Sequence, residues 1–155
     1  MTRNARIAPA PVRKSFSVAA TPARAFEVFT RIGQWWLPGH SIAPSGQADV
    51  TIEPFAGGRW YETGKAGETC QWGEVLAWEP PHRLLLVWGL TRQWTYDPAL
   101  RTEIEVRFTP EGAGTRVDFE HRKLDAYTAF GEEMSRTLGK PEGWPALLEA
   151  FARAL

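Results

Sequence analysis

The chain has 155 residues, with 18 basic side chains against 18 acidic ones and one cysteine. That balance argues against a nucleic-acid-binding surface, the lone Cys70 excludes an intrachain disulfide and fits a reducing compartment, and no apolar run is long enough to cross a bilayer. The unusual feature is aromatic content, with eight tryptophans in a chain long enough for one domain with its own core.

Residues 1–11 read as a flexible lead-in with two prolines, where Arg3 and Arg6 are scattered positive charges that Arg13 and Lys14 continue. They contain no apolar stretch of the signal-peptide kind, so the expectation is a cytoplasmic protein. The remainder, 12–155, reads as a single domain. Val12 to Val18 alternates and forms a first strand. Thr21-Pro22 then announces a helix, since threonine caps N-termini and proline is tolerated at the first helical position. Ala25, Phe26, Val28, Phe29 and Ile32 give its apolar stripe, and Gly33 stops it. Gln34 to Pro38 reads as a short helical turn, and 39–47 as a loop.

Period-two runs bounded by turn residues place strands over 48–54, 59–63, 70–79 and 83–89, with Gly57-Gly58 in the first turn. After a connection over 91–100 comes the clearest alternation. Thr102, Ile104, Val106 and Phe108 are set against Arg101, Glu103, Glu105 and Arg107. Thr115, Val117, Phe119 and His121 then alternate with Arg116, Asp118, Glu120 and Arg122. One face of this pair is apolar and the other fully charged, so it is wet on one side, with opposite charges supporting one another across strands. Residues 125–138 are weakly helical, interrupted by Gly131. Trp144, Leu147, Leu148, Phe151 and Leu155 form the strongest apolar helical stripe. Strands following one another by short turns, with helices at either end of the chain, argue for an antiparallel sheet covered on one face.

Strand parity turns Leu84, Leu86 and Trp88 to one face, as it does Trp72, Leu76 and Trp78. It places Glu62 with Trp60 and Glu74 with Trp72; an inward carboxylate needs a partner such as Arg59, Arg92 or Arg101 or carries a raised pKa. His121 is the most informative ionisable residue, either a base or ligand contact at the inner face or a core histidine tied to a backbone carbonyl. Tyr61 and Tyr96 offer hydroxyls. His40 and His82 fall in a loop and a turn. The histidines and Cys70 lack metal-ligand spacing, so no metal or cofactor is expected. No serine sits in a nucleophile elbow, and Gly57-Gly58 lacks phosphate-loop spacing, so no catalytic residue is assigned.

Several stretches together resemble a known superfamily. They are the helix start Pro22 to Phe29, Trp35-Trp36, Gly57-Gly58-Arg59-Trp60, Gly73-Glu74-Val75-Leu76 with Pro80-Pro81-His82-Arg83-Leu84, Thr115-Arg116-Val117 with His121, and Gly143-Trp144 with Leu147-Leu148. In this order they are similar to the START-like, helix-grip (SRPBCC) superfamily, in the branch of homologues of the activator of the heat-shock protein ninety ATPase. The resemblance implies an α+β fold: a curved antiparallel sheet wrapped around a long C-terminal helix, with one or two short helices after the first strand and a cavity between. Combined with parity, it implies a cavity bounded by Trp60, Trp72, Trp88, Val106, Phe108, Phe119, His121, Leu147 and Phe151. The leading expectation is a protein that binds a hydrophobic or aromatic small molecule. The alternatives are a module binding a chaperone or other partner, with a homodimer formed through exposed edge strands, and a cyclase- or aromatase-like enzyme.

Overall fold

A computed structural model of the chain describes residues 8–155. The alternating segments become seven strands: β1 (Val12–Val18), β2 (Gln47–Ile52), β3 (Arg59–Gly64), β4 (Thr69–Glu79), β5 (Arg83–Trp88), β6 (Thr102–Glu111) and β7 (Gly114–Arg122). They form one antiparallel sheet in the order β1-β7-β6-β5-β4-β3-β2. Helix α1 (Pro22–Thr30) follows β1. The Thr21 hydroxyl caps it by accepting the Arg24 N–H, and Ala25, Phe26, Val28 and Phe29 are its buried stripe. A short 3₁₀ turn (Ile32–Gln34) contains Gly33, so the helix ends just before the glycine expected to stop it.

The chain after β7 is helical in three pieces: a 3₁₀ segment (Leu124–Phe130), α2 (Gly131–Gly139) and α3 (Trp144–Arg153). Pro141 explains the second break. It disfavours helical backbone at the residue before it, and Lys140 is extended there, with ψ 162°. Part of the expected lead-in, 1–7 with Arg3 and Arg6, lies outside the described residues. The rest of it is tied down: the Ala10 carbonyl accepts the Ser135 hydroxyl at 2.6 Å, and Pro9 packs over Gly131.

α3 lies against the concave face of the sheet. Its Phe151 is fully buried, with ring centroids 5.0 Å from Phe29, 5.7 Å from Trp35 and 6.2 Å from Phe16. Phe108 on β6 meets Phe26 and Phe29 edge-on at 5.4 and 5.9 Å. Edge-to-face packing fills this end of the concavity with rings.

Two bulges in β4 bend the sheet and shift its parity. Trp72 is the extra residue opposite β3, between the pairs Tyr61–Gln71 and Trp60–Gly73. Leu76 is the extra residue opposite β5, between Val75–Leu86 and Ala77–Leu85. Parity alone turns Leu76 inward with Trp72 and Trp78. The Trp72 bulge shifts that parity, so that Val75 is buried and Leu76 exposed, and the second bulge restores it, so that Trp78 packs edge-on against Phe26. Gly73 faces Trp60 and Trp88 across its two neighbours, and a Cβ there would lie 1.7 Å from the Val87 carbonyl oxygen, so only glycine fits.

The convex face carries a lattice of ion pairs. Arg122 reaches Glu103, Glu105 and Glu120 at 3.2, 2.9 and 3.1 Å, while Arg83, Arg13 and Lys123 approach the same carboxylates from the far side. Burial alone would raise the Glu105 carboxyl; hydrogen bonds from Arg83 and Arg122 outweigh it and hold the group below its ordinary range.

Truncating a ring in the filled end removes both transfer energy and packing. We expect Phe151→Ala to lower the free energy of urea unfolding by about 3–5 kcal/mol, and Leu76→Ala, at the exposed bulge, to change it by about 0.5 kcal/mol or less.

Candidate ligand cavity

The opposite end of the concavity is built from indoles. Trp36 follows the 3₁₀ turn, Trp60, Trp72 and Trp88 come from β3, β4 and β5, and Trp144 opens α3. Their centroids lie close: Trp36–Trp72 at 4.9 Å, Trp60–Trp72 at 5.3 Å, Trp60–Trp88 at 5.7 Å, and Trp144 at 5.8 Å from both Trp36 and Trp88. Rigid rings meeting at steep angles do not fill space as flexible aliphatic chains do. A cavity of about 340 Å³ remains, walled by Trp36, Trp72, Trp88, Leu90, Leu138, Trp144 and Leu147 and bordered by the loop from Gly39 to Ile42. This is within the size range of small-molecule sites, and its composition, apolar with few polar groups, is typical of them. Half-buried His40 and exposed Lys140 and Glu142 stand at the mouth with Trp94.

Trp94 is 42% exposed and adopts a positive φ of 61°, a strained state for a bulky residue. Its loop is pinned by Arg92, which pairs with Glu133 at 2.8 Å and stacks over the Phe130 ring at 3.7 Å.

Beneath the loop from Gly39 to Ile42 lies Glu62, with no exposed surface. Its carboxylate accepts the Ser41 hydroxyl and, at 2.9 Å, the Ile42 N–H. Glu74, of equal parity in sequence, faces outward and pairs with Arg101, because the Trp72 bulge shifts the register between them. None of the three suggested arginines serves Glu62: Arg59 pairs with Glu53, Arg92 with Glu133 and Arg101 with Glu74.

His121 sits behind the cavity wall, fully buried. The Trp144 indole N–H donates to its Nδ1 at 3.0 Å, so the ring is neutral and its Nε2–H donates to the Thr102 hydroxyl at 2.9 Å. Thr102 in turn donates to the Trp88 carbonyl at 2.8 Å. Burial with no anionic partner pulls the imidazole pKa down from 6.5 to about 3. Both ring nitrogens are occupied, so this histidine is neither base nor ligand contact in this arrangement. Nearby, the Tyr127 hydroxyl accepts the Trp88 indole N–H and donates to the Leu90 carbonyl, while burial pushes the phenol up to about 12.

Of the residues that parity and resemblance bring to the cavity, Trp72, Trp88 and Leu147 line it. Trp60 stands behind Trp72, and Val106, Phe108, Phe119 and Phe151 are packed into the core. Parity separates inside from outside; it does not separate the filled end of the concavity from the hollow one. Tyr61 lies beneath the Arg59 guanidinium, and Tyr96 packs near Gln71, both away from the cavity. Sequence reasoning missed Trp36, His40, Ser41, Ile42 and Trp144 as wall or mouth residues. The Trp35-Trp36 pair and the Glu142-Gly143-Trp144 helix start carried that signal. Among the described residues, no group of three or more His, Cys, Asp or Glu is placed to hold a metal, and no helix is long and apolar enough to cross a membrane.

Residues 19–155 match the family described as Activator of Hsp90 ATPase homolog 1-like protein. The chain belongs to this family. Comparison with curated proteins returns no match. Among solved structures, it is 38% identical to an anthrahydroquino-gamma-pyrone synthase, Txn09, complexed with SUM, with a TM-score of 0.66 and coverage of 96% of this chain and 98% of that one. It is 28% identical to the self-sacrificing resistance protein CalC from Micromonospora echinospora, with a TM-score of 0.67 and coverage of 94% and 93%. The Aha1 dimer from Colwellia psychrerythraea shares the fold at 16% identity, with a TM-score of 0.62 and coverage of 94% and 96%.

The buried histidine makes stability depend on pH. The folded chain keeps His121 neutral down to about pH 3, whereas the unfolded chain protonates it near 6.5. The unfolded state therefore binds more protons in that window. This stabilising contribution is complete above pH 6.5 and is lost as the pH falls towards 3, at up to about 1.4 kcal/mol per pH unit. We expect urea unfolding between about pH 6 and about pH 5 to show that slope, and His121→Gln to flatten it; equal slopes in the two proteins would contradict the assignment.

Proposed function

We propose that this chain binds a flat, hydrophobic aromatic small molecule between its sheet and its C-terminal helices. The observation that carries the proposal is the cavity wall of Trp36, Trp72, Trp88 and Trp144, with its polar groups gathered at the mouth and at Ser41. Indoles at steep mutual angles offer both faces and edges to a planar guest, the geometries in which aromatic rings attract. The similarity to an anthrahydroquino-gamma-pyrone synthase supports an oxygenated polycycle as the guest. The strained Trp94 at the mouth fits the same reading, since backbone strain gathers at functional sites.

That similarity also favours a second reading, in which the guest is a substrate for ring closure. The ionisable groups within reach would be His40, Lys140 and Glu142 at the mouth and Glu62 behind Ser41. The chaperone-partner reading, and a homodimer through the β1 and β2 edges, rest on family relationship and on free edges alone.

Native mass spectrometry of freshly purified protein, set against the denatured mass, tests the binding reading directly. We expect a co-purified small molecule, and saturable quenching of tryptophan emission by anthraquinone added to the stripped protein. Trp72→Ala weakens that binding by about tenfold or more, equivalent to about 1.4 kcal/mol. Trp94→Gly weakens it while leaving the thermal midpoint no lower, because glycine tolerates positive φ. An apo mass together with no quenching would remove the reading. Conversion of a bound polycycle to a product of altered mass would favour the enzyme over the carrier.

A further inference from the structure

We propose that Ser41 Oγ accepts a hydrogen bond from a hydroxyl of the guest, with Glu62 fixing its direction, so that the cavity selects phenolic aromatics over their ethers and over unsubstituted rings. The inference rests on the cavity being a ligand site, and it names the chemical class that site takes.

Glu62 is completely buried, and its two oxygens are engaged by the Ser41 hydroxyl and the Ile42 N–H. The Ser41 hydroxyl donates to Glu62, so its proton points back into the protein. A hydroxyl oriented in that way presents lone pairs elsewhere. One is taken, at 3.3 Å, by the Ala43 N–H. Another remains, and Ser41 lines the cavity. The polar feature that the wall offers there is therefore an acceptor without a donor of its own, polarised by the hydrogen bond that Ser41 donates to Glu62. A guest O–H completes the chain from guest to Ser41 to Glu62. An ether oxygen brings a second acceptor against the first, and a C–H leaves it unpaired.

A buried carboxyl placed only to pin the loop has that role filled by the Ile42 N–H and by Ser41 as donor. Such a role places no demand on the guest. The two roles therefore separate by ligand discrimination rather than by stability.

The test uses the full chain and three probes read by tryptophan quenching: β-hydroxyanthraquinone, its methyl ether and unsubstituted anthraquinone. We expect the hydroxyl probe to bind about tenfold tighter than the other two, as one well-placed hydrogen bond provides. Ser41→Ala abolishes this preference by weakening the hydroxyl probe alone; unchanged affinity for unsubstituted anthraquinone shows that its cavity is intact. Ser41→Thr, which retains the hydroxyl, restores the preference. The wild-type comparison is decisive even if the alanine variant does not fold. Equal binding of the three probes to the wild type, or a preference that survives in Ser41→Ala, overturns the inference and leaves the cavity reading standing. Failure of all three probes to quench overturns the inference and, together with an apo mass, the cavity reading as well.

Discussion

A buried chain of hydrogen bonds joins the terminal helix to the sheet, running from the Trp144 indole through His121 and Thr102 to the Trp88 carbonyl. Every member is buried, and along this chain each donor meets an acceptor. Breaking any link would strand polar groups where water does not reach, at a cost larger than the net value of the bond itself. The two ends of the chain, Trp88 and Trp144, are also facing walls of the cavity. The bonds that seat α3 on the sheet thus fix the separation of those walls. A purely apolar contact would allow the helix to slide inward and close the space, whereas a directional network specifies one seat.

The division of the concave face into a filled and a hollow half follows from ring shape and sheet curvature. Phenylalanines from β1, α1, β6 and α3 interlock at one end. At the other end five larger indoles come together, two of which, Trp60 and Trp88, are paired across the sheet with Gly73 of β4. The bulges on either side of that glycine increase the local bend. Curvature beside rigid indoles keeps a hollow within an interior that otherwise packs densely.

Most of the architecture could be read from the chain: the alternation of Thr102 to Phe108 and of Thr115 to His121 predicts both strands and their faces, and Thr21-Pro22 predicts the helix start. What could not be read was long-range or conformational. Leu76 and Val75 exchange sides, and Glu74 parts from Glu62, because each bulge inserts one residue that pattern alone does not mark. Parity turns His121 inward, but the indole that occupies its Nδ1 lies 23 residues further along the chain. Val106 and Phe119 are as apolar and as inward as Trp88, and only the placement of α3 decides which of them meet empty space. The loop bearing His40 and Ser41 has no periodicity to read; its role comes from Glu62, which reaches it across 21 residues.

The convex ion-pair lattice has a consequence for how molecules reach this protein. Because Arg122, Arg83, Arg13 and Lys123 are each answered by a carboxylate a few ångströms away, the field of the outer sheet is a set of short dipoles that cancels within about a Debye length, on the order of 10 Å. With a formal net charge of zero, the molecule has little far field to steer an ionic visitor. An uncharged planar guest pays no penalty for that silence. Its encounter rate would be set by diffusion and by the width of the mouth, and would be nearly indifferent to salt.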